Sequence, residues 1–322
     1  MARTLPPPAA AAAAATACRD IDLSRLPPAA AAHGDIMETF MEEGIQWPVV
    51  TVLLSLPLLW ISVRGDFGTL KFYLRYFAYI FCVSVAGLIC IPLFLLRPRN
   101  VDNLTDVSKV LKYISKLIGI TWEMRDCHHL KENKVGVIVS NHQTILDILG
   151  MFNLWETMGR CTVIARRAVF WVWPFGLAAW LAGLIFIDRG NPEQARKQIN
   201  IATDTLNAKK IKLWVFPEGT RNKDRRSLLP FKKGAFHSAI RMQVPLIPVV
   251  YSPYYFLNVQ KKFFDDGRVI IKTLPPIPTA GLKPEDIDSL VQTTHELMSQ
   301  EYKKLSGEVL SQLPTNYPGL CY

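Results

Sequence analysis

Two long runs without charge stand near the start of the chain. Trp47 to Val63, WPVVTVLLSLPLLWISV, has no charge across 17 residues, and Tyr76 to Leu96, YFAYIFCVSVAGLICIPLFLL, has none across 21. A membrane span needs roughly 20 apolar residues, so the second run qualifies and the first, with Pro57 near its middle, is marginal. Trp47, Trp60, Tyr76 and Tyr79 fall near the ends of the runs, as interfacial aromatics do. The pattern predicts an N-terminal two-helix membrane motif over 45–100, joined by the amphipathic linker RGDFGTLKFYLR. It spans the bilayer or dips into one leaflet. A buried soluble hairpin is the alternative.

From about residue 104 the pattern changes. Val107, Val110, Leu111, Ile114, Leu117 and Ile118 recur at helical spacing. Short β-rich runs follow at 135–140, 162–165, 184–187, 212–216, 245–250 and 268–272, with helical stretches between several of them, as at 192–208 and 232–242. Apolar strands alternating with helices predict an α/β domain over 101–310, with a central mixed, largely parallel sheet flanked by helices. KPEDIDSLVQTTHELMSQEYKKL predicts a last helix, with proline early, acids in the first turn and lysines in the last. A third uncharged run, Val169 to Ile187, is 19 residues long and could span by length alone. Pro174, Gly176 and Gly183 punctuate it, and Arg166, Arg167, Asp188 and Arg189 bracket it. It is read as a helix plus a buried strand, partly sunk into the membrane face. A true span would put the chemistry before and after it on opposite sides.

Composition narrows the class. Half of the 322 residues are hydrophobic and the net charge is +10. A basic surplus suits an anionic partner, and the high hydropathy favours lipid over nucleic acid. The six cysteines are scattered without CxxC spacing, which argues against a disulfide framework and a zinc site. Residues 1–44 read as a disordered Ala/Pro-rich tail, without the charged start and apolar core of a signal peptide, and 311–322 as a C-terminal tail. Basic residues beside the apolar runs are nearly balanced, with a slight lean to a cytosolic C-terminal part. Asn103 opens an NLT glycosylation sequon close to the membrane.

The first candidate for chemistry is VSNHQTILDILG, where a strand gives way to a helix. On one continuous helix His142 and Asp147 would stand about 140° apart. They meet if His142 lies in the strand-to-helix turn and folds back over the first helical turn, with Ser140 or Asn141 as N-cap. The carboxylate then fixes the imidazole tautomer, and the histidine is a competent general base near neutral pH. No G-x-S-x-G is present, so the base would activate a hydroxyl on the substrate itself. The second candidate, VFPEGTRN, follows the strand KLWVF. Pro217 and Gly219 make a tight turn, Gly219 allows close backbone approach, Thr220 offers a hydroxyl and Arg221 a planar fork for phosphate. Lys223, Arg225, Arg226, Lys232 and Lys233 raise the local potential or form a solvated basic loop. Asp188 and Arg189 end the strand of GLIFIDR, where α/β folds place ligands. VPLIPVV is a buried edge strand or the lining of an acyl channel.

NHQTILD, GLIFIDR, FPEGTRN and VPLIPVV, in this order and at these separations, resemble the four blocks of the glycerolipid acyltransferase family, and within it the members that acylate lysophosphatidate. The resemblance runs from about residue 45 to 305 and includes PFGLAAWLAGLIFIDR and LPFKKGAFHSA beyond the motif cores. It implies that His142 is the base and Asp147 its partner. It implies that Glu218, Gly219, Thr220 and Arg221 shape the acceptor phosphate site, and that Arg189 is the arginine of its block. The family's Lys-Arg-Glu block reads Arg166-Arg167-Ala168 here. Arg166 keeps a positive charge where phosphate is expected, and Ala168 drops an acid.

The implied reaction transfers an acyl group from acyl-CoA to the sn-2 hydroxyl of 1-acylglycerol-3-phosphate, giving phosphatidate at a lipid bilayer. No metal and no cofactor are implied; acyl-CoA is a co-substrate. Nucleic acid is not an expected partner, and the sequence carries no signal for oligomeric state. Glycerol-3-phosphate or another lysophospholipid is the nearest alternative acceptor. A non-catalytic membrane scaffold is the alternative of another class. The family implies the endoplasmic reticulum membrane, with the site toward the cytosol.

Overall fold

A computed structural model describes residues 67–131, 135–188, 190 and 192–320. The N-terminal tail, the first apolar run and Arg189 lie outside the described residues. The second apolar run forms α1 (Phe67–Leu95), which starts before the uncharged stretch and absorbs part of the expected linker. The reason is periodicity. Phe72, Tyr76 and Tyr79 recur at helical spacing and are all buried against the domain. On the other side Leu74, Phe81, Leu88 and Ile89 are exposed, and α1 is long and apolar enough to cross a membrane. Next come α2 (Asp102–Leu111) and α3 (Ile114–Leu117). Asn103 of the sequon is fully buried in α2 and its amide donates to the Arg97 carbonyl at 2.9 Å, so the folded chain presents no glycan acceptor there.

The remaining elements alternate. They are β1 (Ile120–Arg125), α4 (His128–Lys131), β2 (Val137–Ser140), α5 (Asp147–Met158), β3 (Cys161–Arg166), α6 (Phe175–Leu181), β4 (Ile185–Ile187) and α7 (Pro192–Ala208). There follow β5 (Lys212–Val215), α8 (Gly234–Met242), β6 (Leu246–Tyr251), β7 (Leu257–Asn258), β8 (Phe263–Phe264), β9 (Gly267–Thr273) and α9 (Ile287–Leu310). Seven strands form one sheet in the order β1-β9-β6-β2-β5-β3-β4, and β7 pairs only with β8. Every pair in the large sheet is parallel except β6 with β9. This is the mixed, largely parallel α/β sheet that the sequence pattern predicts. α1, α2, α5 and α6 cover one face of it, and α7, α8 and α9 cover the other.

The third apolar run divides into a 3-10 turn (Arg167–Trp171), α6 and β4, and β4 pairs with β3. Backbone crowding enforces the break: a Cβ at Gly176 would sit 1.9 Å from the Phe170 carbonyl oxygen. α1 crosses α6 closely at Gly87, where a Cβ would lie 3.3 Å from Pro174 Cγ.

Three expectations need correction. VPLIPVV is an interior strand, not an edge: β6 lies between β9 and β2, buried along its whole length. Pro248 fits because its nitrogen faces the gap between the end of the β9 ladder at Thr273 and the bridge from Leu246 to Ile277. The last helix continues past its lysines to Leu310, because Leu305 and Val309 extend the buried stripe of Leu290, Met298 and Tyr302. β1 goes unsignalled by the pattern, since ITWEMR carries charge. Its Glu123 and Arg125 sit at the sheet edge and pair with Arg268 and Glu308.

Candidate active site

β2, β5, β3 and β4 are neighbours and run parallel, so their C-terminal ends share one edge of the sheet. NHQTILD leaves β2, FPEGTRN leaves β5, and Arg166 ends β3. Strand order therefore gathers stretches that are some 75 residues apart in the chain, as with His142 and Glu218 (|i−j| = 76).

His142 and Asp147 do meet. His142 lies in the turn after β2, and Asp147 is the first residue of α5. The imidazole Nδ1 is 2.7 Å from Asp147 Oδ2. The same oxygen accepts the backbone N–H of Gln143 at 2.7 Å and of Thr144 at 3.3 Å. A buried carboxylate held by two N–H groups is fixed before any substrate arrives. The imidazole stacks on Phe216, with ring centroids 4.2 Å apart and planes 19° apart. With Nδ1 engaged by the carboxylate, Nε2 is the nitrogen left for the cavity that His142 lines. The expected N-cap is absent. Ser140 donates to the Asn141 carbonyl, Asn141 pairs with Tyr251, and Thr144 Oγ1 accepts the Leu146 N–H instead.

The Pro-Glu-Gly-Thr-Arg turn sits over this loop. Glu218 is buried, with its Oε1 accepting the His142 N–H at 2.9 Å and its Oε2 the Leu229 N–H at 3.1 Å. Burial, with Asp147 nearby, pushes its carboxyl up to about 7 against the pull of those two N–H groups. The Asn222 N–H closes the clamp on the His142 carbonyl at 2.7 Å. Gly219 has φ +71°, and a Cβ there would lie 2.8 Å from the stem of Lys232. The Lys232 N–H in turn donates to the Pro217 carbonyl at 2.7 Å.

A cavity of about 1210 Å³ opens at His142. Its apolar lining includes Val83, Gly87 and Phe94 of α1, Leu104 and Val107 of α2, and Phe152 and Trp155 of α5. Arg166, Thr220, Arg221, Lys232 and Lys233 line it as well. Gly219 also lines it, whereas Glu218 lies behind the wall. Among the described lining residues Asp147 is the one carboxylate. Such a space admits a molecule with a hydrocarbon chain and an anionic head, its reacting group beside the imidazole.

Comparison with known proteins agrees with this chemistry. The acyltransferase family model matches residues 121–252. The 1-acyl-sn-glycerol-3-phosphate acyltransferase alpha of Bos taurus is 39% identical over 272 residues, 81% of this chain and 92% of the bovine protein. This chain belongs to that acyltransferase family. The corresponding beta protein of Homo sapiens is 38% identical over 81% of this chain and 92% of its own length. The 1-acyl-sn-glycerophosphate (LPA) acyltransferase PlsC of Thermotoga maritima shares the fold, with a TM-score of 0.59 over 76% of this chain and 97% of that one at 21% identity. The family, and α1 as the one helix among the described residues long and apolar enough to cross a membrane, point to membrane association.

Several residues around this candidate site escape a reading by motif. Asn141 and Gln143 flank His142 and hold it to the end of β6. Asn141 Nδ2 donates to the Tyr251 carbonyl and its Oδ1 accepts the Tyr251 N–H, while Gln143 Nε2 donates to the Ser252 carbonyl at 2.9 Å. Their amides look like ordinary loop polarity in sequence. The basic run after Arg221 is also not one solvated loop. Arg225 turns inward at φ +57° and donates to the Tyr254 and Leu257 carbonyls. Arg226 pairs with Asp224 and Lys233 with Asp288. Lys232 covers Gly219 and lines the cavity without a carboxylate partner among the described residues.

Proposed function

We propose that this acyltransferase moves an acyl group from acyl-CoA to the sn-2 hydroxyl of 1-acylglycerol-3-phosphate, making phosphatidate. His142 Nε2 accepts the hydroxyl proton as the substrate oxygen attacks the thioester carbonyl carbon. The tetrahedral intermediate collapses with C–S cleavage, and the departing sulfur takes the proton back from the imidazolium. Asp147 holds the tautomer and stabilises the imidazolium charge. Arg166, Arg221, Thr220 and the Gly219 turn receive the acceptor phosphate, with Lys232 beside them. Glu218 acts at one remove by fixing the His142 backbone. Arg189 takes the role that the family assigns to the arginine of its block. No cofactor enters. The supporting observation is the His142–Asp147 pair, 2.7 Å apart, on a cavity lined both by apolar side chains and by Arg166, Arg221 and Lys232.

Both substrates carry acyl chains, so a domain held at the bilayer by α1 can accept them from the membrane. We place the enzyme in the endoplasmic reticulum membrane with the site toward the cytosol, in phospholipid and triacylglycerol synthesis. Purified full-length protein, given labelled oleoyl-CoA with lysophosphatidate, glycerol-3-phosphate or lysophosphatidylcholine, tests the reading. The expected result is phosphatidate from lysophosphatidate alone, with His142→Ala lowering kcat about a thousandfold. Equal turnover by the variant would refute the mechanism. Preference for another acceptor would refute the substrate, and a folded protein inert towards all three would make it a scaffold.

A further inference from the structure

Asp147 uses only one of its oxygens in the contacts described above. Oδ2 takes the imidazole and two backbone N–H groups, while Oδ1 is buried and has no hydrogen-bond partner among the described residues. An unmatched buried acceptor is costly. Its surroundings are unmatched in the opposite sense. The Trp122 and Trp214 indole N–H groups and the Tyr251 and Tyr254 hydroxyls are also buried without hydrogen-bond partners among the described residues. These rings form one cluster. The Trp122 centroid is 6.2 Å from those of both Tyr251 and Tyr254, and the Trp214 centroid is 6.5 Å from that of Tyr251. Idle donors thus gather behind a carboxylate with an idle acceptor oxygen.

Tyr254 stands out among them. Its backbone N–H donates to Gln143 Oε1 at 3.2 Å, which ties it to the residue after His142. Its hydroxyl and the Asp147 carboxylate interact, although neither finds a partner at full hydrogen-bond geometry. Burial keeps both phenols protonated far above neutral pH, so they remain donors. The charged and titratable groups facing this region are His142, Glu218, Tyr251, Arg225 and, behind Tyr251, Cys127. We propose that Tyr254 is a positioning residue, whose hydroxyl donates to Asp147 Oδ1 and fixes the rotation of the carboxylate that orients His142.

The proposal rests on the acyl-transfer reading above and has its own signature. Loss of the donor leaves the carboxylate less neutralised. It then holds the imidazolium more tightly, and the histidine titrates at higher pH. In Tyr254→Phe, kcat should fall about tenfold, the equivalent of one hydrogen bond. KM for both substrates should hold, and the acid limb of the kcat/KM profile should move to higher pH. The ring stays in place, so the unfolding temperature should stay near that of wild type. In a His142→Ala background the same change should have no further effect. Site-specific 3,5-difluorotyrosine at position 254, a stronger donor, should move the limb the other way, and it serves also if the phenylalanine variant does not fold.

An unmoved acid limb in both variants would overturn the proposal. So would a kcat loss that persists without His142. If wild type proves inert on lysophosphatidate, the acyl-transfer reading fails separately. NMR titration of His142 in the same proteins then decides: a raised imidazole pKa in Tyr254→Phe supports the positioning contact, and an unchanged one refutes it.

Discussion

A single carboxylate shows how burial changes a residue's task. Glu218 belongs to the most recognisable motif of the chain, yet its two oxygens serve two backbone N–H groups. Its folded-state pKa of about 7 exceeds the ordinary value of 4.5, so the folded state favours the protonated acid. Its contribution to stability is present in full below pH 4.5 and is lost as pH rises through 7. Glu218→Gln cannot ionise. Thermal unfolding at pH 5 and pH 8 should show wild type losing stability on the order of 3 kcal/mol from this group, and the variant losing none of it. The amide has one acceptor oxygen where the carboxylate has two, so either the His142 or the Leu229 N–H goes unserved. Activity should therefore fall at both pH values, read as lower kcat with KM little changed.

At the scale of elements, the turn after β5 is shaped by a glycine and a lysine acting together. Gly219 holds a left-handed φ of +71°, and the Lys232 stem occupies the space where a side chain would go. Gly219→Ala should cost about 1–2 kcal/mol from the backbone alone. It should also displace the Lys232 ammonium from its place on the cavity wall. The expected kinetic mark is a raised KM for lysophosphatidate, shared by Lys232→Met. Lys233→Met should leave it near wild type, because Lys233 is paired with Asp288. Equal effects of the two lysines would show that only general charge matters there.

The whole molecule ties membrane contact to folding. α1 buries Phe72, Tyr76, Tyr79 and Phe94 in the domain while exposing an apolar face elsewhere, and the Tyr79 hydroxyl donates to the Ile145 carbonyl in the loop between His142 and Asp147. It also lines the cavity. Removal of residues 1–96 should therefore yield an aggregating, inactive domain, not a soluble enzyme. Removal of 1–34 should leave turnover in membranes within about twofold, since no apolar element is lost. Sedimentation after alkaline washing, with activity measured in the pellet, distinguishes the two outcomes.

The fold class was legible in the sequence alone, and so were the candidate reacting groups. Apolar strands alternating with helices announce a parallel sheet, and His142, Asp147, Gly219 and Arg221 stand in local patterns whose chemistry is legible without coordinates. Strand order was a tertiary decision. β5 inserts beside β2, so the Glu218 turn lands on His142, and β6 inserts on the other side, so Tyr251 and Tyr254 lie behind Asp147. Local pattern could not anticipate that Arg225 turns inward, that Glu218 serves the backbone, or that a strand with a proline at its third position lies in the sheet interior. Each of these depends on partners distant in the chain, and the free energy of placing a buried polar group is set by those partners.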